Sequence, residues 1–294
     1  MIFGLIIILL IIIYLIVWHT HCITKIIDRC KKIDSVPVII IFFTAFAILS
    51  FSPRHETVTV EGVRYTGKFN KSTLIRCLML MREYEPSLTL FLKNNSLPDD
   101  VMVDVGANEG YFSVLMAPRI RKIYAVEPDP SNVELMQNNI ENNEQTNIQI
   151  LPIAAGSKKG KITIHSCNVN RMWSNVEDDS LWQSIKCLGV KNTIVPIQKL
   201  QNIIPEIPSI VKIDVEGHEK EVLEGMMEWI GQTRIFIVET TNMGIVNMFR
   251  EKGYTAMTLP VDSVPFGDTQ MPQPISDDSQ SIPFSNVIFV KKQI

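Results

Sequence analysis

The hydrophobic pattern divides the chain into a continuous apolar start and an alternating remainder. Ile2 to Trp18 carries no charged residue, and neither does Val36 to Phe51. The first run makes about 26 Å of helix at about 1.5 Å per residue, enough to cross a thin hydrocarbon core. Neither run has the polar face of a helix lying on a soluble core. Lys25, Arg29, Lys31 and Lys32 lie between them. The pattern predicts an N-terminal membrane anchor over residues 1–52, with one helix at 2–18 and a second at 36–51. A cleaved signal peptide fits less well, because no basic residue precedes the apolar run and no small-residue cleavage site follows it. Basic loops favour the cytoplasmic side. Two spans would put the rest of the chain on the far side and one span would keep it in the cytoplasm; both arrangements stay open. The sequons Asn70-Lys71-Ser72 and Asn94-Asn95-Ser96 suit a lumenal face.

After a connecting region at 53–98, with a β-like stretch at Thr57–Tyr65 and a helical pattern at Leu74–Leu92 interrupted by Pro86, the period changes repeatedly. Short apolar runs predict strands at Val101–Val105, Lys122–Val126, Ile148–Leu151, Lys161–His165, Ser209–Ile213, Arg234–Glu239, Tyr254–Leu259 and Asn286–Lys291. Helical patterns fall between them at Tyr111–Ala117, Ser131–Asn143, His218–Ile230 and Met243–Lys252. Alternation of this kind predicts an α/β domain over 99–294, a largely parallel sheet with helices on both faces. A ligand would then sit at the carboxyl ends of the strands. Pro260–Pro283 reads as a polar, proline-rich loop.

Composition narrows the chemistry. The net charge of -3 and the absence of a basic stripe argue against nucleic acid as a partner. Mean hydropathy is slightly positive, but the excess sits in the first fifty or so residues. The five cysteines include no CxxC pair, which argues against a zinc site or redox dithiol. Cys22 and Cys30 border the apolar run, a setting that suits palmitoylation.

Three stretches carry candidate chemistry. In Val103-Asp104-Val105-Gly106-Ala107-Asn108-Glu109-Gly110 a strand passes into a helix. Gly106 permits a tight turn and close approach to a ligand, and Gly110 lets the helix pack near the sheet. Asp104 sets a carboxylate where a cationic amino group could meet it. A nicotinamide oxidoreductase would show GxGxxG, whose second glycine lets the backbone cradle pyrophosphate. Here that position is Asn108, and the preceding acid would repel phosphate. About twenty residues further, Glu127 and Pro128 end the next predicted strand; a carboxylate there can accept from both hydroxyls of a ribose. In Lys212-Ile213-Asp214-Val215-Glu216-Gly217-His218-Glu219, acids and a histidine crowd a strand's carboxyl end, where desolvation makes decorative charge costly. Glu219 and Glu221 also suit the start of a helix dipole.

Together these stretches resemble the FkbM family of S-adenosylmethionine-dependent methyltransferases. The carriers are VDVGANEGYFSVLMA from Val103, AVEPDPSNVELMQNNIENN from Ala125 and VKIDVEGHEKEVLEGM from Val211, with RIFIVET, REKGY and NVIFV further on. The resemblance implies a Rossmann-like, seven-stranded methyltransferase sheet, preceded by the one or two transmembrane helices read above. It also implies methyl transfer from S-adenosylmethionine to a hydroxyl oxygen of a sugar, glycan, lipid or other small molecule. Carried over by position, Asp104, Gly106, Ala107, Asn108 and Gly110 line the methionine side and Glu127 with Pro128 the ribose. Ala154 and Ala155 lie near the adenine. Asp214, which also borders the cofactor, Glu216 and His218 face the reacting centre. One departure stands out: where the family shows an acid after a leucine ahead of the third stretch, this chain reads Lys199-Leu200-Gln201-Asn202. Asn168–Gly189, with Trp173 and Trp182, matches nothing in the family and reads as an acceptor-side insertion.

The sulfonium methyl is already activated, so the task is to hold an acceptor oxygen in line, about 3 Å away, and to take its proton. His218 is the natural base, because histidine titrates near neutral pH; Glu216 and Asp214 are the alternatives. His165, on a strand, reads as structural. Two acids without a third ligand give no metal site. A non-catalytic membrane protein that keeps the fold as a binding module is the other reading, and the intact set of Asp104, Gly106, Gly110 and Glu127 argues against it.

Overall fold

A computed structural model describes residues 55–68, 72, 74–75, 78, 84–167, 174–175, 190–260 and 269–292. The predicted anchor at 1–52 lies outside the described residues, as does all but 174–175 of the Asn168–Gly189 segment. Among the described residues no helix is long and apolar enough to cross a membrane.

The elements in chain order are β1 (His55–Val60), β2 (Val63–Lys68), α1 (Pro86–Asn95), β3 (Val101–Val105), α2 (Tyr111–Met116), β4 (Lys122–Val126), α3 (Pro130–Asn142), β5 (Ile148–Leu151), β6 (Ala154–Ala155), β7 (Gly160–Cys167), β8 (Ser174–Asn175), β9 (Val190–Gln198), β10 (Ile210–Ile213), α4 (Glu219–Glu224), β11 (Ile235–Thr240), α5 (Met243–Glu251), β12 (Tyr254–Pro260), β13 (Gln273–Pro274) and β14 (Ser285–Lys291).

The main sheet runs β13-β12-β14-β11-β10-β3-β4-β5. β5, β4, β3, β10 and β11 are parallel, and β14 inserts antiparallel between β11 and β12. The sheet has eight strands rather than the seven expected, because Gln273–Pro274 of the proline-rich stretch pairs with Met257 and Thr258 at the edge. Every residue of β3 and β10 is buried, as a parallel strand covered on both faces requires. One core cluster gathers Leu88, Leu92, Phe112, Leu115, Met136 and Ile140 from α1, α2 and α3. The other gathers Val222, Val246 and Phe249 from α4 and α5. Helices therefore cover both faces. Strand order reverses between β3 and β10: the chain moves outward from β3 to β5, then returns to β3's other side. That switch point opens a crevice at the strands' carboxyl ends.

A second sheet, β6-β9-β7-β8, stands beside the first. Neither β9 nor β6 was anticipated.

Residues 55–68 form a hairpin whose turn residues, Glu61 and Gly62, both have positive φ, at 50° and 82°, as a two-residue hairpin turn favours. The single β-like stretch read from the sequence spans this turn. The hairpin docks on α3 through asparagine amides that imitate a neighbouring strand. Asn143 accepts from the Arg64 amide at 2.8 Å and donates to the Arg64 carbonyl at 2.6 Å, and Asn139 accepts from the Thr66 amide at 2.8 Å. An otherwise open strand edge is thereby satisfied. Tyr65, fully buried, donates to the Tyr111 carbonyl and stacks on its ring at 5.4 Å. The hairpin and α1 thus belong to the same packed body as β3 and α2.

The helix expected over His218–Ile230 is shorter and ends at Glu224. At Gly225 a Cβ would lie 2.1 Å from the Gly156 carbonyl oxygen, which only glycine allows, and residues 225–230 continue as turns.

Candidate active site

The crevice is lined by the β3–α2 loop, the ends of β4 and β10, β6, and positions 74 and 84 ahead of the main sheet. The β3–α2 loop forms its floor. Gly106 has φ 78°, and a Cβ on it would fall 1.8 Å from the Asp214 carbonyl oxygen. No other residue fits there. The Gly106 and Ala107 amides both donate to the Val126 carbonyl, at 2.9 and 3.0 Å, which locks the loop onto the end of β4. Asn108 sits at φ 51°, a left-handed conformation that asparagine tolerates better than most residues. At Gly110 a Cβ would lie 2.7 Å from Met136 Cγ, so glycine sets the spacing between α2 and α3.

Two buried carboxylates stand over this floor. Glu127 Oε2 accepts from the Asn108 amide at 2.9 Å and Oε1 from the Asp129 amide at 2.8 Å. Burial pushes its carboxyl up to about 7, against the pull of those amides. Asp129 caps α3 by accepting from the Ser131 amide. Asp104 Oδ2 accepts from Ser113 Oγ at 2.7 Å, while Oδ1 is buried with no hydrogen-bond partner. Burial raises its carboxyl above the ordinary range, with Lys212 and Ser113 opposing. A buried acceptor left open beside a side-chain-free floor matches an ammonium group of a bound ligand. Glu127, fixed by backbone on one side, can still accept hydroxyls on its remaining lone pairs. These residues suit the methionine and ribose portions of S-adenosylmethionine.

The crevice's other end is built differently. Lys212 on β10 lies beside Asp104 on β3 in register. Only 2 % exposed, it places Nζ 3.0 Å from Asp214 Oδ2 and 5.1 Å from the centre of the Phe112 ring. Burial works against the ammonium, but Asp214, Asp104 and Glu85 outweigh it and hold the proton on firmly. Burial likewise works against an ionised Asp214; Lys212 overrides it and, with a hydrogen bond from Glu239, brings the carboxyl below the usual range. Asp214, Glu216 and Glu239 can bring ligand atoms within 4.8 Å of one another. Burial and the Asp214 charge push Glu216 up to about 8 and Glu239 up to about 11. Glu216 occupies a left-handed position, φ 54°, followed by Gly217 at φ 103°, so the chain reverses sharply at the strand's mouth. The third carboxylate corrects the sequence-based premise that only two acids meet here. Lys212 supplies a counter-charge, so the group does not require a metal ion to be balanced.

The family profile for the methyltransferase FkbM domain matches residues 104–255. The chain belongs to the FkbM methyltransferase family. A curated relative, the hexuronic acid methyltransferase AglP of Haloferax volcanii, is 26 % identical over 157 residues, which cover 53 % of this chain and 62 % of the relative. The chain therefore spans less than two thirds of that protein. Among solved structures, the FkbM methyltransferase of Methylobacillus flagellatus is 13 % identical with a TM-score of 0.47, over 84 % of this chain and 58 % of its own. TYW2 of M. jannaschii in complex with AdoMet is 12 % identical with a TM-score of 0.44, over 80 % and 84 %.

Within the FkbM frame, the structure brings Asp104, Gly106, Ala107, Asn108, Glu127, Pro128, Ala155, Asp214, Glu216 and His218 to one crevice. Gly110 lies just behind it, against α3. His218 lines the same crevice as Asp214 and Glu216; its Nε2 lies near Gly156, and Glu221 is 3.5 Å from Nδ1. Both ring nitrogens are buried without a hydrogen bond. His165 bonds Asn192 on β9 at 2.8 Å, outside the crevice. Gln201, where the family shows an acid, exchanges hydrogen bonds with Glu228 on the surface.

Sequence reasoning missed Lys212, Glu239, Glu85 and Tyr84. A lysine in an otherwise apolar strand, between two acids at its end and on the neighbouring strand, was the available signal for Lys212. The other three come from separate segments, and no local spacing marks them.

Proposed function

We propose that this FkbM protein binds S-adenosylmethionine in the crevice and methylates a hydroxyl oxygen of a sugar, glycan, lipid or other small molecule. The open, buried Asp104 Oδ1 above the Gly106 floor carries this reading. Asp104 would take the cofactor's ammonium, the loop from Gly106 to Gly110 its methionine chain, Glu127 and Pro128 the ribose, and Ala155 the adenine side. When bound, the cofactor supplies the activated methyl group. The protein's own residues hold the acceptor in line at about 3 Å and exclude water. The acid group at the ends of β10 and β11 would meet the acceptor, where the Asp214 carboxylate can accept a hydrogen bond from its hydroxyl.

The uncharged runs at 2–18 and 36–51 support an integral anchor that would keep the domain near membrane-bound acceptors. Incubating the full chain in detergent with methyl-labelled S-adenosylmethionine and a cell extract of glycans and glycolipids tests the reading. Label that survives mild alkali, as a methyl ether does, is expected. Alkali-labile methyl ester would redirect the reading to a carboxylate acceptor. No transfer by protein that binds the cofactor would favour a non-catalytic binding module.

A further inference from the structure

We propose that Lys212 is a positioning residue that holds Asp214 as the ionised, oriented carboxylate receiving the acceptor's proton. The inference rests on the methyl-transfer reading above and deepens it. The crevice holds several acids as well as His218, whose Nδ1 lies 3.5 Å from Glu221; Asp214 is the acid that a buried cation contacts.

The geometry singles out Lys212. It is a buried cation among the crevice-lining residues, fixed from two sides by the 3.0 Å contact with Asp214 and by the Phe112 face. Its strand neighbour Asp104 is anchored separately by Ser113. The one bridge from Lys212 therefore runs toward the acceptor end, whereas Asp104 keeps an oxygen open for the cofactor. The charged and titratable groups around Asp214 are Lys212 on its own strand, Asp104 on β3, Glu239 on β11, Glu85 ahead of α1, and Glu216, His218 and Glu219 in the turn into α4. Burial raises the cost of ionising Asp214, and Lys212, with the Glu239 hydrogen bond beside it, offsets that cost. Glu239, whose carboxyl is pushed up to about 11, stays protonated and donates to Asp214, a second contact that orients the group.

The reaction balances on these atoms. An acceptor oxygen lone pair forms the O–CH₃ bond. The C–S bond breaks, its electron pair returning to sulfur to leave a neutral thioether. The O–H proton passes to Asp214. Once the O–CH₃ bond forms, the protonated oxygen is a strong acid, so the receiver does not need high basicity. It needs to be ionised and in place at neutral pH, which Asp214 beside Lys212 satisfies and Glu216, pushed up to about 8, does not.

Infrared titration of the carboxyl C=O stretch tests this directly, with Asp214→Asn used to assign the band. In the wild-type protein the Asp214 band is expected only below the ordinary aspartate range, under about pH 4. Lys212→Met is expected to show that band at pH 7, and Lys212→Arg to remove it again. In the labelled-methyl assay with the glycan and glycolipid extract, the acid limb of the rate profile should move to higher pH in Lys212→Met by at least one unit, with a lower rate. An Asp214 band already present in the wild type at neutral pH would overturn the proposal, and this readout survives even if Lys212→Met fails to fold. A folded Lys212→Met protein with an unmoved profile would also overturn it. Failure of the wild type to bind the cofactor would instead strike the functional reading itself.

Discussion

The two ends of the crevice are held by opposite means. At the cofactor end, backbone does most of the work: the Asn108 and Asp129 amides grip Glu127, and the Gly106 and Ala107 amides grip the Val126 carbonyl. At the acceptor end, charged side chains from β3, β10, β11 and the segment before α1 hold one another around Lys212. Backbone scaffolds of the first kind are rigid and local in sequence. Side-chain networks of the second kind are assembled from distant segments and are sensitive to each member's charge. The two ends meet where Gly106 packs on the Asp214 carbonyl, beside the 3.0 Å hydrogen bond from the Asp214 amide to the Val105 carbonyl.

That contact is the place to break both ends at once. Gly106→Ala puts a Cβ where the Asp214 carbonyl stands and adds left-handed strain; a loss of about 3 kcal/mol or more is expected from overpacking and strain together. Denaturant unfolding should show it, and cofactor binding should disappear.

Next in size is Asp104→Asn, which should affect binding without unfolding the protein. Removing the charge that meets an ammonium group should weaken cofactor affinity by about 2–3 kcal/mol, or about 30- to 150-fold. Stability should hold or rise, because burial already disfavours this carboxylate's charge. A parallel fall in melting temperature and affinity would mean that Asp104 is structural.

The third test is pH. Glu127's folded pKa, about 7, lies above its unfolded value. Its contribution to stability is therefore fully present below the unfolded pKa and lost as pH rises through about 7. Binding should run the other way, because the ionised carboxylate is the better acceptor for ribose hydroxyls. Affinity should fall by up to about tenfold per pH unit below 7, and Glu127→Gln should flatten that dependence. Calorimetry across pH 5.5–8 or so checks both trends.

Smallest of all is the effect of chelation. With Lys212 balancing the acid group, a chelator should change the methyl-transfer rate by less than about twofold. A larger loss reversed by a divalent cation would assign Asp214, Glu216 and Glu239 to a metal and displace the role given to Lys212.

The same contrast governs what could be read from sequence. β3, β4 and β5 run over the residues their apolar patterns indicated, and Asp104, Gly106, Gly110 and Glu127 are legible because loop, glycine and capping chemistry lie within a few residues of one another. β9 escaped detection because Pro196 and the outward-facing, exposed Ile194 interrupt its apolar alternation. The hairpin turn was hidden inside a continuous β-like stretch, and α4 was overextended because buried apolar residues continue its pattern through the turns at Met226, Trp229 and Ile230. Glu239 and Glu85 reach the acceptor end through sheet order and through the docking of α1, which no local pattern encodes. Asn139 and Asn143, a mere asparagine-rich stretch in sequence, gain their meaning only once the hairpin lies against α3.

Titration calorimetry of the full chain in detergent with S-adenosylmethionine, beside the Asp104→Ala and Glu127→Ala variants, tests the central claim most directly. The account predicts micromolar-range binding by the wild type, lost or severely weakened in both variants while each remains folded. Failure of folded wild-type protein to bind, or equal binding by all three proteins, would contradict the assignment of this crevice as the cofactor site.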